Sequence, residues 1–152
     1  TKLILVGKFQ EERLKEESKT MPERQKATFK GWLSQKEAYK EMQSANIGLI
    51  CFLPVPNHIY SVPNKIFEYM AAGIPVVTSN LYSLRKVVEI NNCGICVNPQ
   101  DPKEIAKAIE YLIEYPEEAG KMGENGRKAV LNKYNWEEES KKLLEIYKNL
   151  LK

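Results

Sequence analysis

A lone histidine, His58, and an odd set of cysteines, Cys51, Cys93 and Cys96, are all this chain offers a soft metal. Cys93 and Cys96 have the C-x-x-C spacing, but a zinc site needs a second ligand pair, which His58 and Cys51 do not supply. A thioredoxin-like redox pair belongs near the first strand–helix junction, and this one stands near the last expected strand. The cysteines are therefore expected to be small apolar residues at a strand entrance, in a reducing compartment. No carboxylate cluster has metal-binding spacing, so no metal is implied. Long apolar runs are missing too: none approaches the ~20 residues of a membrane span. No signal peptide is visible, because the first residues lead straight into a strand. There is no block of like charge. The net charge of +3 is spread among acids along the helices. Solvated helix faces account for that pattern, with attraction to an anionic membrane surface or acceptor as the lesser use. Without a basic stripe interleaved with aromatics, nucleic-acid binding has no support.

What remains is ordinary globular material: 152 residues, 43% hydrophobic and 28% charged, enough for one domain with a core. Apolar runs at Leu3–Val6, Thr28–Lys30, Ile47–Phe52, Pro75–Thr78 and Ile95–Val97 read as strands. Helical patterns stand between them, from Phe9 to about Lys19, from a capping box at Ser34–Glu37 to about Ser44, and over Leu84–Ile90. Pro54–His58 reads as a rigid loop. Asp101-Pro102-Lys103-Glu104 is a second capping box, opening a helix to about Tyr115. Pro116–Tyr134 reads as helical with interruptions at Gly120, Gly123 and Gly126. Asn135 caps a last helix, anchored by apolar packing of Trp136. Strand–helix alternation with apolar strands implies an α/β fold, a Rossmann-like parallel sheet with helices on both faces. Ligands of such sheets bind beyond the carboxyl ends of the strands, where Gly7, Gly31 and Pro54 fall.

The densest signal is Ser61-Val62-Pro63-Asn64-Lys65-Ile66-Phe67-Glu68-Tyr69-Met70-Ala71-Ala72-Gly73-Ile74-Pro75-Val76-Val77. It reads as a loop, a short helix opened by Pro63 at its first position, a glycine turn and a buried strand. At about 100° per residue, Ile66, Phe67, Met70 and Ala71 share one face, and Lys65, Glu68 and Ala72 the other. Free amides and the positive end of the helix dipole make its start an anion site, to which Lys65 adds a full charge. Lys65 and the backbone of Ser61, Val62, Pro63 and Asn64 are thus candidates for holding a diphosphate, with a solvated lysine as the alternative. Glu68 is placed either to accept two hydrogen bonds from vicinal hydroxyls or to pair with Lys65 on the surface, which is worth ~0.3 kcal/mol.

This motif resembles the signature of the group 1, or family 4, retaining glycosyltransferases. The likeness extends to Leu3–Gly7, to Gly31-Trp32-Leu33, to Ala45–Leu49, to Gly94–Pro102 and to Asn135–Glu138. The resemblance implies half of a GT-B architecture, the C-terminal half that binds a nucleotide-diphosphate sugar. It implies that Glu68 holds the donor ribose, as the second glutamate of an E-x7-E signature. The first glutamate would fall at position 60, where Tyr60 stands. Tyr60 becomes the candidate in contact with the transferred sugar, by hydrogen bond or stacking, against ordinary loop packing. Gly31, Trp32 and Leu33 match the loop that meets the base, against core packing of Trp32. His58 as a general base is the weaker reading, and Arg85, Lys86 and Glu89 read as a solvated helix face.

The expected function is therefore transfer of a sugar, with retention, from a UDP-sugar to a saccharide or lipid-linked acceptor, in polysaccharide biosynthesis. No cofactor is expected. The expected partners are the nucleotide sugar and an N-terminal acceptor-binding domain. The chain is expected to be a fragment lacking that domain and the start of this half, and to be inactive alone. It is expected in the cytoplasm, with peripheral association at the inner membrane face. A nucleotide-sugar epimerase of the same architecture and a non-catalytic nucleotide-binding or interaction module are the alternatives. A receiver-type signalling domain needs an acidic cluster after the first strand, where Gly7-Lys8-Phe9 stands.

Overall fold

The apolar runs and capping signals become an alternation of strands and helices in which every ladder is parallel. The structure, a computed structural model, describes residues 1–151. Contacts divide the chain into two units, Thr1–Glu41 and Met42 onward, and each has its own sheet.

In the first unit β1 (Leu3–Val6) pairs with β2 (Ala27–Gly31), from Leu3 opposite Ala27 to Val6 opposite Gly31. Helix α1 (Glu12–Thr20) and a 3-10 turn at Arg24–Lys26 lie between them in sequence. Phe29 stacks on Phe9 at 5.2 Å, and the Arg24 guanidinium sits 4.2 Å from the Phe29 ring centroid. Coverage on both faces is not reached here: Leu3, Ile4, Leu5 and Val6 stay 38–44% exposed. Helix α1 is charged and buries only Ser18, so it has no apolar face to lay on the strands. Helix α2 (Gln35–Gln43) opens on the expected capping box. The Ser34 N–H and hydroxyl donate to the Glu37 carboxylate at 2.8 and 2.6 Å, and the Glu37 N–H meets the Ser34 hydroxyl at 3.4 Å.

In the second unit β3 (Gly48–Ile50), β4 (Val76–Ser79) and β5 (Gly94–Val97) form a parallel sheet with β4 in the middle. All four β4 residues are buried. Successive side chains of a strand point to opposite faces, and Val76 and Val77 do so. Val76 joins a core with Ile50, Ile66, Met70, Leu84 and Val88, and Val77 joins another with Val97, Ala108, Leu112 and Ala119. Helices α4 (Lys65–Ala72) and α5 (Tyr82–Asn91) supply the first core and α6 (Pro102–Glu114) the second. Helix α7 (Pro116–Asn132) supplies residues to both. This sheet is thus covered on two faces, as its apolar strands require.

Four local expectations change. The stretch read as a loop contains a one-turn helix, α3 (Pro56–Ile59), with Pro56 first, where its missing N–H is harmless. Helix α7 runs unbroken through its glycines. A Cβ on Gly123 would collide with the Gly73 carbonyl, and one on Gly126 would lie 3.1 Å from Met70 Cγ. These glycines are there for close approach to α4, not for a break. Asp101 caps α6, accepting from the Lys103 and Glu104 N–H groups at 2.9 and 3.4 Å. Glu104, however, takes the Asn98 N–H at 3.0 Å instead of closing the box on Asp101. Finally, Trp136 is 71% exposed and α8 (Trp136–Leu150) buries no residue, so Trp136 is no apolar anchor. Asn135 does cap α8, accepting from the Glu138 N–H at 2.9 Å.

Candidate functional site

The carboxyl end of β3 runs into the segment 51–55, and two buried hydroxyls of β4 fix it. Ser79 Oγ donates to the Phe52 carbonyl at 2.7 Å, and Thr78 Oγ1 to the Ile50 carbonyl at 3.3 Å. Phe52 is thereby held where its ring stacks on the His58 imidazole at 4.6 Å. The Lys65 ammonium lies 5.3 Å from the Phe52 ring centroid, a cation–π distance. His58 Nδ1 is 3.1 Å from the Leu53 carbonyl, so that nitrogen carries the hydrogen and donates it. His58 serves here as a stacking and loop-closing side chain.

Helix α4 begins two residues later than its proline suggests. Its first residue is Lys65, and the Pro63 carbonyl accepts from the Ile66 N–H at 3.1 Å. Pro63 therefore stands just before the helix, its carbonyl opening the hydrogen-bond ladder. The Ser61 N–H is taken by the His58 carbonyl at 3.1 Å, which removes it from the expected anion donors. The N–H groups of Val62, Asn64 and Lys65 have no acceptor among the described residues. Such orphan donors at a helix start call for an acceptor from outside the helix. Gly73, at φ 74, ends α4 in the left-handed conformation that favours glycine.

Ile66 and Met70 are fully buried, while Lys65 is exposed and Glu68 half-buried. The Glu68 carboxylate makes no hydrogen bond or ion pair among the described residues; its N–H donates to the Asn64 carbonyl at 3.1 Å. The surface pair with Lys65 is not formed. Lysine before acid is the less favourable order on a helix, although Arg13 and Glu17 in α1 pair at 3.3 Å in that order. Burial and then the Glu68 charge push the Tyr69 phenol above its ordinary pKa. The acid that can bind vicinal hydroxyls and the cation that can bind phosphate thus stand one turn apart, neither spent on the other.

Tyr60, at the end of α3, is 75% exposed, so ordinary loop packing does not describe it. Its carbonyl accepts from Ser83 Oγ at 3.1 Å, and its ring meets Tyr82 edge-on at 6.0 Å. In the first unit Gly31 ends β2 at φ 68, Trp32 is 70% exposed and Leu33 is half-buried. Core packing of Trp32 is thereby overturned. Gly31, Trp32 and Leu33 belong to the first unit and Tyr60 to Glu68 to the second.

Sequence reasoning missed Phe52, Ser79 and Tyr82. The carboxyl ends of β3 and β4 were the available signal, since side chains there line the ligand edge of parallel sheets. The three cysteines are unpaired. Burial pushes the Cys93 and Cys96 thiols up to about 11, and Cys51 upward as well. They remain protonated and unreactive near neutrality. Among the described residues no group of three or more His, Cys, Asp or Glu could hold a metal, and no helix is long and apolar enough to cross a membrane.

A family model described as Glycosyl transferases group 1 matches residues 1–129. An uncharacterized glycosyltransferase of Methanocaldococcus jannaschii is 29% identical over 125 residues, 82% of this chain and 31% of its own length. Sucrose-phosphate synthase of Thermosynechococcus elongatus superposes with a TM-score of 0.84 at 25% identity, over 99% of this chain and 38% of that one. HepE of Anabaena, solved in complex with UDP-glucose, superposes with a TM-score of 0.81 at 19% identity, over 97% of this chain and 41% of that one. The chain spans less than a third of the length of the curated relatives it matches.

Proposed function

The chain belongs to the group 1 glycosyl transferases, and we propose that it is the donor-binding half of an enzyme transferring a sugar, with retention, from a nucleotide-diphosphate sugar to a saccharide or lipid-linked acceptor. One observation carries the donor site: Glu68 is half-buried on the open side of α4 and its carboxylate has no intramolecular partner, beside Lys65 and three unclaimed amides. Glu68 accepts hydrogen bonds from the two ribose hydroxyls. Lys65 and the N–H groups of Val62, Asn64 and Lys65 hold the diphosphate. When the bond to the sugar breaks, charge accumulates on that diphosphate, and preorganised donors stabilise it most at that moment. Tyr60 faces the sugar, and UDP is the expected nucleotide. That HepE was solved with UDP-glucose supports this choice of donor.

The acceptor site belongs to an N-terminal domain. The exposed apolar residues Leu143, Leu144, Tyr147 and Leu150 of α8 suit contact with it, and this chain alone is inactive. Its unpaired cysteines suit a reducing cytoplasm, with its lipid-linked acceptor met at the inner membrane face.

Titrating the chain with UDP, GDP and ADP, wild type beside Glu68→Ala, tests the reading. Loss of Glu68 removes about 1.5–3 kcal/mol, roughly 10- to 150-fold in affinity for the matching nucleotide. Equal weak binding by both proteins sinks the assignment.

A further inference from the structure

We infer that the donor's sugar carries a carboxylate, as a uronic acid does, and that Lys86 receives it beside the Tyr60–Tyr82 ring pair; this rests on the donor site proposed above. Tyr60 immediately precedes the segment assigned to the diphosphate, so the sugar on the terminal phosphate falls next to it. The two rings sit edge-on at 6.0 Å, 75% and 52% exposed. Aromatic side chains with one open face and a polar tip suit a sugar that offers C–H groups and hydroxyls together. The Ser83 hydroxyl fixes the Tyr60 carbonyl at 3.1 Å, tying this residue to the first turn of α5. One turn further on, the Lys86 ammonium lies 5.9 Å from the Tyr82 ring centroid.

Charge decides the class of sugar. Across residues 51–89 the chain has three cations, Lys65, Arg85 and Lys86, and two acids, Glu68 and Glu89. Elsewhere nine of the twenty other lysines and arginines lie within 3.6 Å of a glutamate. Neither Lys86 nor Arg85 has such a partner; Arg85 reaches only the Asn80 side-chain oxygen at 3.5 Å. Lys65 answers the diphosphate and Glu68 the ribose. Lys86 is an exposed ammonium beside the sugar position; Glu89, three residues further along α5, does not pair with it. A carboxylate on the sugar would form a charge-assisted hydrogen bond there, and a neutral sugar would leave the cation unused.

Calorimetric titration of the chain with UDP, UDP-glucose and UDP-glucuronate, and with GDP, GDP-mannose and GDP-mannuronate, tests the idea. The carboxylate sugar should bind about tenfold more tightly than its neutral counterpart. Lys86→Gln should erase that difference and leave the affinity for the bare nucleoside diphosphate unchanged. Lys86 is exposed, so the variant should fold, which circular dichroism checks. Equal affinity for the two sugars in wild type overturns this inference alone. So does a Lys86→Gln variant that weakens the bare diphosphate, because Lys86 would then be a phosphate contact. No binding by either nucleoside diphosphate overturns the donor site itself, and this inference with it.

Discussion

Helices α4 and α8 start from similar material, an apolar stripe with lysine and glutamate opposite, and come to different ends. In α4, Ile66 and Met70 are wholly buried; in α8, Leu144, Tyr147 and Leu150 all remain exposed. In α8, Glu138 and Glu139 precede Lys141 and Lys142 by three residues, and both pairs close at 2.5 Å. In α4 the lysine precedes the acid and no pair forms. The periodic pattern thus defines a face in both helices, but only a neighbour can cover it. For α4 that neighbour is α7, whose Gly123 and Gly126 admit it closely. No described residue covers α8. The charged faces differ as well: α8 satisfies itself, and α4 leaves Lys65 and Glu68 available to a ligand.

The largest effect should come from closing the space that admits α4. Gly123→Val drives its side chain into the Gly73 carbonyl and should cost about 3 kcal/mol or more, read as a fall in the denaturation midpoint. An unchanged midpoint would break the account of why α4 is buried. Next comes truncation of the two apolar faces. Met70→Ala should cost about 2–5 kcal/mol through cavity formation, whereas Leu144→Ala in this chain should stay within about 0.5 kcal/mol. Similar losses at both positions would erase the difference between the helices. Ser79→Ala sharpens it further. The buried Phe52 carbonyl then loses its donor, at about 1–3 kcal/mol of stability, and Phe52 loosens beneath Lys65. Nucleotide affinity should fall in this variant, and should not in Leu144→Ala.

The same contrast marks what the sequence could reveal. The period of Ile66 and Met70 and the caps at Ser34, Asp101 and Asn135 depend on neighbours three or four positions away, and each was legible. The tandem Gly120, Gly123 and Gly126 were misread because propensity counts a helical glycine as a weakness, while the value of Gly123 and Gly126 lies in close contact with Gly73 and Met70, distant in sequence. Trp136 was misread for the converse reason: a large apolar side chain predicts burial only where something packs on it. Within the site, Lys65 and Glu68 were legible as two functional groups on one face. That they do not pair only the coordinates could show, since Arg13 and Glu17 pair in the same base-first order. Phe52, Ser79 and Tyr82 converge from separate elements, and nothing local in their sequence ties them together.

The smallest effect is the most pointed test of the difference between the two charged faces. A double-mutant cycle on Glu138 and Lys141 should give a coupling of about 0.2–0.5 kcal/mol, shrinking at high salt, because exposed pairs gain little beyond what water offers. The same cycle on Lys65 and Glu68 should give no coupling in stability. With nucleotide present it should give coupling in binding, since both residues then hold one ligand. A stabilising coupling at Lys65 and Glu68 without ligand would mean that the two satisfy each other in solution. The donor site would then have to break that pair before it could bind, and the physical reason for placing the ligand there would be gone.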